Sequence, residues 1–576
     1  MKIKHLFGLA VIAAMSASCS SNEDLGTAGP GTGTNEAGVG YATFSINLPT
    51  TSGTRADGDP TFEDGDANEF DVFNATLLVF KKPTTPATSE GEYTFVEHVD
   101  LGSMEPWKDP KETGVTTQAK ITAKLGNVDK NENYFALVLL NNGSDTEDRK
   151  VKLPTVGTTY SDWNKATNAT DKFDKTDKGF YMANAPLYNA TGNNVTTLVA
   201  IDKSKIFPTE AQASSGDAAA DIYVERGLAK VTLTTATNYE DVGGSTYVGD
   251  KVKISNWALD VTNKKTFPIH NVDGLSTDYT DIWKNDLTAT ATPSTQRFVD
   301  NSGAIAKRVY WGTDPNYNNS TLLQTDEAGK TARAAEFNYV TANTAVTADP
   351  TKPLYCLENT FNLANMMQGQ TTRVIFKASY TPKDFTAEDG NTFYKIGTSV
   401  ALWTQKNLED HIKAAVTKVI SDATIDNTTI KLAAEGNNIT AAGNHEIKAA
   451  NITVTGHTVT DAEAKAVSNK VGLTENAGIS TYANGESYYI ARIKHFGDAL
   501  TPWNSDVYGT NNLAYLGRYG VLRNNWYELK VNSVSGPGYP SVPEVKPNTP
   551  DDEDDKYIKV SVKILKWAKR SQTVDL

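Results

Sequence analysis

The stretch YATFSINLP, residues 41–49, sets the fold class. Ala42, Phe44, Ile46 and Leu48 alternate with Thr43, Ser45 and Asn47, and a period of two is that of a β-strand turning one face to a core. The same alternation returns at the far end of the chain. There Ile558, Val560, Val562 and Ile564 alternate with Lys559, Ser561 and Lys563 within YIKVSVKILKWAKRSQTVDL, residues 557–576. Between them lie FNATLLVFKK, YTFVEHVDL, AKITAKLG, NYFALVLLNN, AKVTLTTAT and KVKISNWALDVTN, strand patterns separated by polar turns rather than by helices. These spacings predict an all-β fold of antiparallel sandwiches. One strong helical spacing interrupts them: Leu408, Ile412, Ala415, Val416, Val419 and Ile420. It opens an insertion over about 407–476, read as a surface elaboration or, alternatively, an independent subdomain.

The chain has 576 residues, 39% hydrophobic and 22% charged, which is enough for two or more ordinary domains. A net charge of −14 argues against nucleic acid as a partner, because phosphate-binding surfaces collect Lys and Arg.

Residues 1–18 read as a signal peptide: Lys2 and Lys4 precede LFGLAVIAAM, an apolar run too short to span a bilayer. Small residues then lead into Cys19, as at a bacterial lipoprotein processing site where the cysteine is lipidated; an ordinary signal peptide with an incidental cysteine is the alternative. The second cysteine, Cys356, has no disulfide framework around it and is expected as a buried free thiol. Residues 19–55 carry a Gly/Thr tether and the first strand, a segment that the resemblance described below implies is a propeptide. A first sandwich is expected over 56–220, a second over 221–535, a Pro-rich acidic linker over 536–556 and a final strand over 557–576. The linker contains PEVKPNTPDDEDD, which reads as disordered and would hold the last strand away from the body.

Motifs for chemistry fail on inspection. GGSTYVGDK places Asp250 where a phosphate-binding loop needs lysine. The run with Asp64, Asp66 and Asn68 starts like a calcium loop but has Glu69 for the required glycine and Ala75 for the bidentate acid. His445 lacks the partner histidine of a zinc helix, and no serine sits in a nucleophile elbow. Trp257, Trp311, Trp403 and Trp526 would line either a sugar site or the sandwich cores. The expectation is no enzyme, no cofactor and no metal.

Several segments resemble the Mfa1-type fimbrial shaft proteins, a fimbrillin family of Bacteroidales. They are YWGTDPNY from Tyr310, CLENTF from Cys356, YYIARIKHF from Tyr488, GVLRNNWYELKVNSV from Gly520, and the terminal VSVKILKW followed by VDL. SSNED after Cys19 also resembles the signal that sends lipoproteins of such bacteria to the outer face of the outer membrane. The resemblance implies two transthyretin-like β-sandwiches and export as a palmitoylated lipoprotein. It also implies cleavage after an arginine by an Arg-specific extracellular protease, here between Arg55 and Ala56, although Lys81, Lys82 and Lys108 offer other cuts. On that pattern Ala42, Phe44, Ile46 and Leu48 belong to a strand displaced after cleavage. Ile558, Val560, Val562, Ile564 and Trp567 belong to a donor strand that replaces it in the next subunit, with Trp567 as an anchor. The partners implied are identical subunits, tip and anchor subunits, and a surface receptor. The function is a fimbrial shaft supporting adhesion or biofilm formation. A glycan-binding surface lipoprotein, or a tip or anchor component of the same system, is the alternative.

Overall fold

The structure, a computed structural model, describes residues 33–35, 38–48, 62–63, 69, 71–102, 118–129, 131–144, 149–168, 173, 178–189, 194–234, 242–287, 296–299, 307–309, 311–397, 399–432, 447–473, 478–496, 500–502, 513–551 and 558–567. Cys19, Arg55, Ala56, Asp64, Asp66, Asn68 and His445 lie outside them. The fold is all-β, built from many sheets with few helices.

The first large sheet runs Thr94–Asp100, Ala75–Lys81, Tyr134–Leu140, Met182–Asn184, Ala220–Arg226, Gly40–Asn47, Gln118–Leu125, with Val199–Ala200 beside Tyr134–Leu140. Two of its interior strands have continuous apolar sequences, ATLLVFK and YFALVLL, because both of their faces are covered. Leu77, Val79, Ala136 and Val138 face one core together with Phe44, Ile46, Ile222 and Val224. Leu78, Phe80, Leu137 and Leu139 face a second core, which Tyr160, Phe180, Tyr181, Leu228 and Leu357 complete.

A second unit is a sandwich in the strict sense. One sheet, in the order Leu354–Leu357, Leu228–Thr234, Asn525–Val534, Ile558–Trp567, Phe62–Glu63, packs on another made of Lys251–Asp260, Arg373–Thr381 and Glu486–Arg492. Val231, Tyr527, Leu529 and Val531 meet Val252, Trp257, Phe376 and Tyr489 between them. In Lys251–Asp260 the register slips between Ile254 and Asn256, so that Val252 and Ile254 and then Trp257 all reach the core despite their odd spacing. Ala220–Arg226 belongs to the first sheet and Leu228–Thr234 to the second, so the chain changes sheet at Gly227. A Cβ on Gly227 would stand 2.7 Å from the Phe173 ring, which leaves no room for a side chain at the crossing.

The insertion builds a hydrophobic core that it shares with Tyr394, Ile396 and Ile479 of the flanking strands. The helix Gln405–Val419, capped by Thr404, packs Leu408, Ile412 and Val416 against Ile430, Ile452, Val454, Ala464 and Val467. Its start lies two residues before the expected 407. The four tryptophans belong to packing: Trp257 and Trp311 are fully buried, Trp403 lies against His411 at 4.9 Å, and the Lys230 ammonium lies 4.0 Å from the centre of the Trp526 ring. Cys356 is a buried free thiol, and burial pushes it up to about 12. It should resist iodoacetamide at pH 8 in the native protein and react in denaturant; mass spectrometry of both samples checks this.

Several groups drawn away from water, among them the half-buried Glu90 and the buried Asp314 and His270, hold protons more tightly here than in an unfolded chain. Burial lifts the Glu90 carboxyl to about 7, against the pull of the Thr197 and Leu198 amides that donate to it. Burial likewise lifts Asp314 to about 7. His270 loses basicity by burial but regains more from Glu225 and Glu358, and ends raised. A raised folded pKa gives stability that is complete below the unfolded value and is lost as pH climbs through the folded one. The melting temperature should therefore be higher at pH 5.5 than at pH 8, and Glu90→Gln should flatten that slope. A melting temperature rising from 5.5 to 8 would contradict it.

Candidate functional site

Gly40–Asn47 is an interior strand of the first sheet. It pairs antiparallel with Gln118–Leu125 over its whole length, Gly40 opposite Leu125 through Asn47 opposite Gln118. On its other side Phe44 to Asn47 run parallel to Ala220 to Tyr223. Ala42, Phe44 and Ile46 are fully buried and Leu48 nearly so. On the opposite face, expected to meet water, Thr43 and Ser45 are buried as well, while Tyr41 and Asn47 at its ends are half-buried. The helix Glu210–Ser215 lies over Thr43, whose hydroxyl donates to the Ala213 carbonyl at 2.9 Å, while Gln118 Nε2 of the neighbouring strand donates to Ser45 Oγ at 2.7 Å. Short polar side chains with partners could not be told from solvated ones by alternation alone. Burying Phe44, Ile46 and Leu48 contributes roughly 5–9 kcal/mol at about 1.5–3 each.

The tail strand is not held away from the body. Ile558–Trp567 lies antiparallel to Asn525–Val534 of its own chain, and Phe62–Glu63 adds a short parallel pairing beyond it. Ile558, Val560, Val562 and Ile564 fall opposite Val534, Val531, Leu529 and Tyr527, every one a core residue. The match survives a register slip between Val531 and Ser533 that keeps Val534 in phase with the core. Glu63 pairs with Trp567. The acidic linker was expected to prevent this return, but like charge repels only like charge, and the aliphatic alternation fits the home sheet.

Nor is the linker free before residue 552. Tyr539 exchanges backbone hydrogen bonds with Tyr488 at 2.8 Å in both directions, and Arg373 Nη2 donates to the Pro543 carbonyl at 2.8 Å. Gly538, at φ +64, passes so close that a Cβ would stand 2.5 Å from the Tyr488 carbonyl oxygen. Asp551 is fully buried, with Arg492 Nε 3.1 Å from its Oδ1 and the Thr371 hydroxyl donating to Oδ2 at 2.6 Å.

Glu69 fastens the chain fourteen positions after Arg55. It is fully buried, 2.7 Å from the Lys230 ammonium, and accepts from the Tyr355 hydroxyl, while its carbonyl accepts from Arg226 Nε at 2.9 Å. Arg226 ends a strand of the first sheet and Lys230 lies in the second, so Glu69 ties the two together. Nothing in the sequence marked it beyond a failed calcium motif.

Among the described residues there is no group of three or more His, Cys, Asp or Glu that could hold a metal, and no helix is long and apolar enough to cross a membrane. A comparison with curated proteins finds no match. A solved structure from Parabacteroides distasonis, provisionally described as a cell adhesion protein, aligns at 10% identity and a TM-score of 0.36 over 92% of this chain and 97% of its own. Residues 480–573 match the sequence model of a family described as major fimbrial subunit protein type IV, fimbrillin, C-terminal. The segment similar to the fimbrillin C-terminal region is thus the one that carries Asn525–Val534, the docked linker and the tail strand.

Proposed function

We infer that the protein is a structural subunit of a bacterial surface fimbria that supports adhesion. The similarity of residues 480–573 to the fimbrillin C-terminal region carries this reading. In the finer form, the precursor is exported and lipidated at Cys19, and an Arg-specific protease cuts between Arg55 and Ala56. The strand 40–47, no longer joined to the body by a peptide bond, is then replaced by residues 558–567 of another copy.

The arrangement of strands supports the exchange. While the bond at Arg55 is intact, strand 40–47 competes at high effective concentration, and cutting it makes the contest bimolecular. The tail is at the same time bound at home, opposite Asn525–Val534, so donation to a neighbour must outweigh that pairing. A head-to-tail contact that does not close on itself yields a filament.

The test is limited trypsin digestion of the chain lacking residues 1–18, with the new N-terminus sequenced and the product followed on SDS gels without boiling and by electron microscopy. A cut exposing Ala56, followed by ladders that disappear when residues 557–576 are removed, is expected. A cut chain that remains monomeric would remove the exchange step and favour a glycan-binding lipoprotein, testable on oligosaccharide arrays.

A further inference from the structure

We propose that the buried Asp551–Arg492 pair is a latch that fixes where the tail leaves the body, and so dictates that a second copy of this chain must present its acceptor groove close to that point. The inference rests on the polymer reading above. Its physical basis is chain reach. From Asp551 to Ile558 there are seven Cα steps, which span at most roughly 23–25 Å at about 3.3–3.6 Å each. If the linker came free from the end of Asn525–Val534, the twenty-four steps from Val534 to Ile558 would span roughly 80 Å. The latch therefore decides between a short joint and a slack tether.

The linker is built to stay down. Behind Asp551, the Gln368 amide donates to the Thr549 carbonyl at 2.9 Å and Gln368 Nε2 donates to the Pro550 carbonyl at 3.2 Å. Pro547 lies so close over Gly369 that a Cβ there would be 2.5 Å from its Cα. Val542 N donates to Asn343 Oδ1 at 2.9 Å, and Tyr482 and Tyr489 donate their hydroxyls to the carbonyls of Gly538 and Gly536. Of the acidic run 551–555, the first residue is thus spent on an internal ion pair. A solvated spacer would need none of these contacts, and a short, oriented joint needs all of them.

The experiment compares four trypsin-activated full chains: wild type, Asp551→Asn, a deletion of residues 552–555, and the two combined. The deletion leaves three Cα steps, roughly 10 Å, between the latch and the tail strand. Expected results are ladders from wild type, loss of at least tenfold in polymer yield from the deletion, and recovery of ladders when Asp551→Asn is added, because a released linker resupplies reach. Hydrogen exchange on the uncut monomers should show the Tyr539 and Val542 amides losing protection in Asp551→Asn while the Leu529 and Val531 amides keep theirs. A merely structural role for the pair would predict that the combined variant is worse than the deletion alone. Unimpaired ladders from the deletion, or no recovery in the combined variant despite wild-type ladders, would overturn the latch. Absence of ladders from wild type would instead overturn the polymer reading, and the latch as a joint with it.

Discussion

Phe44→Ala will weaken the intact protein and speed its assembly. The ring is fully buried among residues of five strands, including Leu77, Val138, Leu125 and Ile222. Truncating a buried Phe to Ala typically costs about 3–5 kcal/mol, through lost transfer energy and the cavity left behind. Against a whole-domain stability of about 5–15 kcal/mol, the first sheet should unfold at markedly lower urea concentration with its m-value unchanged. The uncut chain tests only packing. Under the proposed cleavage at Arg55, however, the same energy would be what retains strand 40–47 in the sheet, and a loss of about 3–4 kcal/mol corresponds to roughly 10²–10³-fold weaker retention. A fluorescent peptide of residues 557–576 added to cut protein should then enter the Phe44→Ala variant on the order of 10²-fold faster than wild type. Opposite signs on stability and exchange are what strand replacement requires. Equal or slower peptide uptake would mean that strand 40–47 is not the element displaced.

The contrast between the two ends of the chain shows what alternation can and cannot reveal. The period-two pattern at Ala42–Leu48 located a strand and its inward face, because an apolar residue at every second position leaves one consistent burial. It gave no sign of the second covering layer, since Thr43 and Ser45 are polar whether a helix or water lies over them. At the tail the alternation again located the strand, but not its partner. Ile558, Val560, Val562 and Ile564 suit any sheet edge presenting aliphatic residues in phase, and Asn525–Val534 presents them with a register slip that no linear pattern discloses. The linker was misread for a related reason. Proline and acid content argue against regular structure, yet a chain without regular structure can still be docked by one buried ion pair and a few backbone hydrogen bonds, as Asp551 and Tyr539 show. Buried charges such as Glu69 are the least legible of all, because their partners Lys230 and Tyr355 lie more than 150 positions away in sequence and only the fold brings them together.

Glu69→Ala will strongly destabilise the second sheet. It would strip the Lys230 ammonium, 2% exposed, of its carboxylate at 2.7 Å and leave the Tyr355 hydroxyl without this acceptor. The Trp526 face 4.0 Å away offers that ammonium a weaker partner, which softens the loss without replacing it. Removing one partner of a buried pair costs about 3–5 kcal/mol, whereas exchanging both for apolar groups of similar size is often close to neutral. The double variant Glu69→Leu with Lys230→Met should accordingly recover most of the urea midpoint lost by Glu69→Ala. Because Glu69 also receives Arg226 on its carbonyl, the main-chain tie to the first sheet persists in both variants. The effect should therefore fall on the second sheet, visible as earlier exchange of the Val231 and Leu233 amides while those of Val79 and Val138 stay protected. If Glu69→Ala and the double variant unfold at the same midpoint, apolar groups of the same size do not replace the pair, the loss does not come from an orphaned Lys230 charge, and the ion pair with its Tyr355 hydrogen bond is itself what stabilises the second sheet.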